Sequence, residues 1–227
     1  MEVTEVNIMS TRTSEYLVAV KHLPADGTMI VPRVSWMEFE SLAAALGDRR
    51  DLRLSYSQGR LEVSMPSPEH EEYADLIQDL TRALVRELGL RLESRGTALL
   101  KRQFQETGAQ PDGCFYIRNA EKIIGKRTLD LSIDPPPDIV VEVDLRCQSR
   151  NKFPIYAVLR VPEIWRYDGE FFEMHHLDGQ EYAEASASLS FSFLTSGVMT
   201  EMIEQSKLAG QDEALDHFVR WVEQHKP

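Results

Sequence analysis

"DPPPDIVVEVDLRCQSRNKFPIYAVLRVPEIWRYDG", residues 134–169, decides the fold. Its residues 139–143, Ile-Val-Val-Glu-Val, form a short apolar run rich in β-branched side chains, the pattern of a buried strand. Pro154 sits in "NKFPIYAVLRV" (151–161), and proline is tolerated only in the first turn of a helix, so a helix starts close to Asn151. "PEIWRYDGEFFEMHHLDGQEYAE" (162–184) then reads as strand, Asp-Gly turn, strand, Asp-Gly turn, strand, which is a meander. A strand, a helix and further strands in that order imply an α/β domain with a mixed sheet.

The strand carries an anomaly. Glu142 lies inside the apolar run and Asp144 follows two residues on. Side chains two apart on a strand share a face, so Glu142 and Asp144 lie with Val140, and Val141 and Val143 face the other way. An ionised carboxylate buried without a partner is costly and needs a cation, a proton or hydrogen bonds. Asp112 in "PDGCFYI" (111–117) and Glu62 in "RLEVSM" (60–65) are acids in similar apolar company. Carboxylates converging from neighbouring strands repel each other unless a metal sits between them. Ligation by oxygen alone suits Mg²⁺ or Mn²⁺, which keep several waters and commonly meet phosphate substrates. Lys152 falls in the first helical turn, where the helix dipole disfavours a cation unless it is aimed at carboxylates or a phosphate. The plainer reading of these acids is a buried polar network that fixes the sheet, with Lys152 in a simple salt bridge to Asp144.

Upstream, "SWMEFESLAAALG" (35–47) has a serine cap, a glutamate three residues on and a closing glycine, the marks of a short helix. "LRLSYSQGRLEVSM" (52–65) alternates apolar and polar residues on both sides of a Ser-Gln-Gly turn and predicts a hairpin. The strongest helix is "SPEHEEYADLIQDLTRALVRELG" (67–89): Ser67 caps, Pro68 opens it, acids crowd its first turn, and Tyr73, Leu76, Ile77, Leu80, Leu84 and Leu88 keep the helical period. Two extended segments follow, then a polar connection over 118–136. Downstream, "ASASLSFSFL" (185–194) alternates serine with apolar residues and predicts a half-buried strand or extended edge. Leu215, Phe218, Val219 and Val222 mark one face of a C-terminal helix.

The chain has 227 residues and a net charge of −12, which excludes a protein coated in phosphate-binding lysines. The arginines and lysines of residues 81–102 read as solvated helix and strand faces. No apolar run is long enough to span a bilayer, and the polar start suggests a loose leader over residues 1–14 with no secretory signal. Cys114 and Cys147 have no zinc-site spacing and read as reduced thiols of a cytoplasmic protein. His175 and His176 lack a third ligand nearby, and Trp165 and Tyr167 read as core.

"GRLEVSMPSPEHE" (59–71), "PDGCFYI" and the opening stretch together resemble the Uma-two family of restriction endonucleases, a branch of the PD-(D/E)XK nuclease-like superfamily. The resemblance runs over residues 35–193. It implies a restriction-endonuclease-like core, with a central mixed β-sheet flanked by α-helices, a β-meander and a C-terminal helix. It implies one domain over 15–227 with a helical tail at 198–226. The implied activity is Mg²⁺- or Mn²⁺-dependent endonucleolytic hydrolysis of DNA, without an organic cofactor or membrane, by a homodimer suited to two strands. Asp112 would match the aspartate of the superfamily's "PD" and Glu142 the acid of its "(D/E)xK", binding the metal with the Val143 carbonyl. The family lysine belongs two residues after that acid, where this chain has Asp144. Lys152 would replace it from the helix, and Asp144 would be a third ligand or the partner of Lys152. Relatives carry a glutamate where this chain has Ser55, which departs from the family pattern; Glu62 would be the auxiliary acid in its place, and His70, at the head of the long helix, a further auxiliary residue. The alternative is a catalytically inactive nuclease-like fold serving as a binding or structural protein.

Overall fold

The computed structural model describes residues 11–47, 49, 51–145 and 149–227. The chain opens with α1 (Thr11–Val20), β1 (Gly27–Val31) and α2 (Trp36–Leu46). Ser35 caps α2 in a complete capping box with Glu38, as its sequence predicts. The predicted hairpin forms as β2 (Arg53–Ser57) and β3 (Arg60–Met65). Gln58 and Gly59 both take left-handed φ, of 49° and 82°, which a two-residue hairpin turn requires and glycine supplies without strain. The long helix is α3 (Pro68–Glu87), capped by the Ser67 hydroxyl.

Four short strands follow: β4 (Glu93–Ser94), β5 (Leu100–Arg102), β6 (Thr107–Ala109) and β7 (Gly113–Tyr116). The polar connection contains one turn of helix, α4 (Ala120–Ile123). The opening stretch forms β8 (Ile139–Val143), a 3-10 turn (Ser149–Lys152), α5 (Phe153–Leu159) and β9 (Glu163–Tyr167), with Pro154 in the first turn of α5. The meander is completed by β10 (Phe172–Asp178) and β11 (Glu181–Ala185). Helices α6 (Ser196–Ala209) and α7 (Gln211–His225) end the chain.

The strands form two sheets where one central sheet is expected from the sequence. The first has order β1-β3-β2-β6-β5 and is antiparallel throughout. The second, β11-β10-β9-β8-β7-β4, is the expected mixed sheet, with β8 and β9 its parallel pair. A parallel pair needs a crossover, and α5 provides it. The alternation along β8 then divides two cores. Ile139, Val141 and Val143 pack with residues of α3, α6 and α7. Val140 packs on the other face with Ile155, Tyr156 and Leu159 of α5. A third core joins α1 and α2 to the first sheet.

Two expectations need correction. Residues 11–14 belong to α1, with Thr13 buried, so the leader cannot extend to residue 14; residues 1–10 lie outside the described residues. The serine-rich segment is not a strand: it makes a single bridge, Ala187 to Thr195. The Ser188 hydroxyl accepts from the Ser190 and Phe191 N–H groups at 3.1 Å, the local bonding by which serine diverts backbone from a ladder. The C-terminal helical tail forms as predicted, with α7 its last helix and α6 packed against it. Cys114 is a free, buried thiol whose burial pushes its pKa up to about 12, and Cys147 lies outside the described residues.

Glu163 ties the serine-rich segment to β9. Wholly buried, it accepts from Trp165 Nε1 at 2.7 Å and from the backbone N–H groups of Leu189 and Ser190 at 3.1 and 3.2 Å. Glu163→Ala strands those donors and should cost about 2–4 kcal/mol in denaturant unfolding. A loss below about 0.5 kcal/mol, the range of neutral surface changes, would show that the segment is held by its apolar contacts alone.

Candidate active site

The two sheets meet at Gln110–Asp112. The Gln110 N–H donates to the Leu54 carbonyl at 2.7 Å, and its side-chain carbonyl accepts from the Leu54 N–H at 2.9 Å. Pro111 has no N–H to give. The Asp112 N–H then donates to the Val141 carbonyl of the second sheet at 2.9 Å. Gly113 is paired with Val141, so the same register one residue earlier sets Asp112 opposite Glu142. Sequence alone marks Asp112, Glu142, Lys152, Val143, Asp144, Glu62 and His70. All of them line one pocket at this seam.

Asp112 and Glu142 are almost wholly buried, 2% and 1% exposed, so their partners set their chemistry. Asp112 Oδ1 accepts from Arg53 Nε at 2.6 Å. Its Oδ2 accepts from the Val143 N–H at 2.8 Å and lies 3.1 Å from His70 Nε2. Arg53 reaches on to Glu71 Oε1 at 2.7 Å. Glu142 is held from α5 and its cap: Lys152 Nζ donates to Oε2 at 2.7 Å and the Tyr156 hydroxyl donates to Oε1. Lys152 and Tyr156 are four residues apart, the spacing that places two side chains on one side of a helix.

These contacts pull the two acids apart in acidity. Burial would raise the Asp112 pKa, but His70, Arg53 and Lys152 outweigh it and hold this carboxyl well below the usual range. Burial raises Glu142; Lys152 opposes the rise, and the Asp112 charge adds to it. His70 loses affinity for its proton on burial and regains more from Asp112, so its pKa rises to about 9. Lys152 is likewise disfavoured by burial and over-compensated by Glu142 and Asp112. Burial and the Glu142 charge lift the Tyr156 phenol far above its ordinary value, which keeps it a donor.

The donors available to a metal are oxygens. Among the described residues no three His, Cys, Asp or Glu side chains gather in metal-ligating geometry. That does not suit a three- or four-residue zinc site. Two carboxylates, a main-chain carbonyl and waters do suit Mg²⁺ or Mn²⁺, which rarely take an all-protein cage. Asp112 Oδ1 and both Glu142 oxygens each keep a lone pair beyond the one their protein donor uses, while Asp112 Oδ2 is shared by the Val143 N–H and His70, so Asp112 and Glu142 fit such an ion, with Val143 lining the same pocket.

Lys152 is paired with Glu142, not with Asp144 as one reading of the sequence has it. Asp144 is engaged by Arg166 Nε at 2.6 Å, and Arg166 also bonds Glu173 at 2.9 Å. Ser55 and Glu62 are direct partners across β2 and β3, so Glu62 presents its carboxylate on the face where Ser55 carries only a hydroxyl. His175 bonds Glu173 at 3.0 Å, and Trp165 and Tyr167 are core residues as read. Arg53, Tyr156 and Arg166 are absent from the sequence reading. Tyr156 had a signal, its four-residue spacing from Lys152. Arg53 had a weaker one, a cation between two buried leucines, Leu52 and Leu54.

Among known proteins, a family model described as "Putative restriction endonuclease" matches residues 36–202. The solved structures similar to this chain include a protein titled "putative nuclease" from Anabaena variabilis ATCC 29413. It aligns with a TM-score of 0.50 at 14% identity, covering 74% of this chain and 98% of that one. That likeness is one of fold. No curated protein matches the chain. With the family model covering most of its length, including every strand but β1 and the Asp112, Glu142 and Lys152 positions, the chain belongs to the Uma2 family of restriction-endonuclease-like proteins.

Proposed function

We propose that this protein is a Mg²⁺- or Mn²⁺-dependent endonuclease that hydrolyses DNA phosphodiester bonds. One observation carries the reading. Asp112, Glu142 and Lys152 come from a strand crossing, a strand and the cap of a helix, and they line one pocket with Lys152 Nζ 2.7 Å from Glu142. The lysine missing after Glu142 is supplied across space, from the head of α5.

Asp112 and Glu142, with the Val143 carbonyl, would hold the ion. When bound, it supplies Lewis-acid charge for the phosphate and acidifies a water. Arg53 and His70 keep Asp112 anionic and fix its orientation. Lys152 keeps a positive charge at the Glu142 oxygen, where it can balance the charge that builds on an attacked phosphate. Glu62 stands at the pocket as a further acid. A homodimer would present two such pockets to the two strands of a duplex. Among the described residues no helix is long and apolar enough to cross a membrane, and a DNA substrate with a reduced Cys114 suits the cytoplasm.

The test is calorimetric titration of the full chain with Mn²⁺, together with plasmid cleavage in Mg²⁺ or Mn²⁺. Heat of binding and cleavage that a chelator stops are the expected results. No binding and no metal-dependent cleavage would overturn the reading. That outcome would favour a second one: the protein donors already on every oxygen of Asp112 and Glu142 suit a non-catalytic nuclease-like fold that serves in binding.

A further inference from the structure

The Tyr156 hydroxyl is the donor to Glu142 for which neither sequence nor family pattern provides a role. It belongs to a side chain that is wholly buried and packed with Ile155 and Leu159 in the core under β8. Its helix therefore cannot shift without disturbing that core. The hydroxyl takes Oε1 of Glu142 while Lys152, the N-cap of α5, takes Oε2, so α5 and its cap hold both oxygens from one side. A carboxylate held at only one oxygen can rotate about its last bond; one held at both cannot. Lys152 alone is a poor clamp, since an ammonium group turns freely and carries no directional fork. A phenol on a rigid ring is directional.

We propose that Tyr156 is the positioning residue of the metal site: it fixes the plane of the Glu142 carboxylate, so that the lone pairs unused by Tyr156 and Lys152 face the pocket. This rests on the proposed metal-dependent reading. Partners that orient a metal ligand from behind are worth about 10- to 100-fold in metal affinity when removed.

Mn²⁺ titration of the full-length protein tests this by affinity, independently of turnover. Tyr156→Phe keeps the ring and its packing and removes the donor. It should weaken Mn²⁺ binding by about 10- to 100-fold. Tyr182→Phe is the control: its hydroxyl donates to the Val161 carbonyl at 2.6 Å and its ring packs in the same core, away from Glu142. That variant should bind Mn²⁺ like the wild type. Equal affinity in Tyr156→Phe and wild type would overturn the positioning role and leave the metal-dependent reading standing. An equal loss in both variants would also overturn it, by showing a general effect of loosening α5. Failure of the wild type to bind Mn²⁺ would overturn the metal-dependent reading, and this role with it. Should Tyr156→Phe not fold, fluorine NMR of a fluorotyrosine placed at position 156 replaces it. A resonance that moves on Mg²⁺ addition supports the role, and one unmoved at saturating Mg²⁺ overturns it.

Discussion

Asp112→Asn should lower metal-dependent cleavage by at least about 10³-fold, the upper end of the loss when one preorganised electrostatic group is removed. Asparagine keeps the volume and one carbonyl oxygen, so Arg53 retains an acceptor. It removes the charge that makes Asp112 a metal ligand, and its amide can point N–H at the Val143 N–H and at His70. Asp112→Ala is the harsher variant, because it leaves the buried Arg53 and the Val143 N–H without this partner. Far-UV dichroism and thermal unfolding of the Asn variant separate lost chemistry from lost fold. Cleavage within a few fold of wild type in a folded Asp112→Asn protein would remove Asp112 from the mechanism.

The same variant makes a second measurement decisive. The folded pKa of His70 is raised to about 9 from an ordinary 6.5. A raised histidine contributes stability that is fully present below 6.5 and is lost as pH climbs through about 9. Asp112 is the main cause of that rise, so Asp112→Asn should flatten the dependence across this window. Proton NMR of the His70 ring would show the pKa dropping with it. A His70 that still titrates near its wild-type value in the variant would mean that Glu71, 3.6 Å away, holds its proton instead.

Lys152→Met should cost about 3–5 kcal/mol, the usual result of breaking a buried ion pair from one side. For a domain of this size that is a drop in melting temperature of about 6–20 °C. Methionine nearly matches the length of lysine and fills its place with apolar volume, so the loss is electrostatic and not a cavity. Glu142 then has Tyr156 but no cation, and burial raises its pKa further. A carboxyl with a raised folded pKa is stabilising below its unfolded pKa, and that contribution is lost as pH rises through the folded value. The variant should accordingly approach wild-type stability in acid and fall behind it with rising pH. Cleavage should vanish at every pH. Lys152→Met as stable as the wild type at alkaline pH would mean that Glu142 is neutral in the native protein and the pair is not ionic.

Much of the architecture was legible because local rules generated it. Ser35 with Glu38, and Ser67 with Pro68, announce helices that begin there. Gln58-Gly59 announces a hairpin, and Pro154 dates the start of α5 to within two residues. Where a local rule competed with another, the reading failed. The alternation in "ASASLSFSFL" matches a strand, but serine hydroxyls satisfy the backbone in turns, and Glu163, far away in sequence, anchors the result. The division into two sheets was also illegible, because it depends on the crossing at Gln110–Asp112 and not on any strand's own pattern.

By itself, the sequence determined that acids are buried in strands and that a lysine heads the following helix. Apolar periodicity and proline position are local properties, and they place residues on faces without reference to the rest of the chain. Only the tertiary structure decided who meets whom. Lys152 turns to Glu142, Asp144 to Arg166, and Asp112 to Arg53, partners separated by 10, 22 and 59 positions. Pairing at such distances follows from strand register, sheet order and the packing of α5, which arise from the whole chain's burial of apolar surface and are carried by no single segment of it.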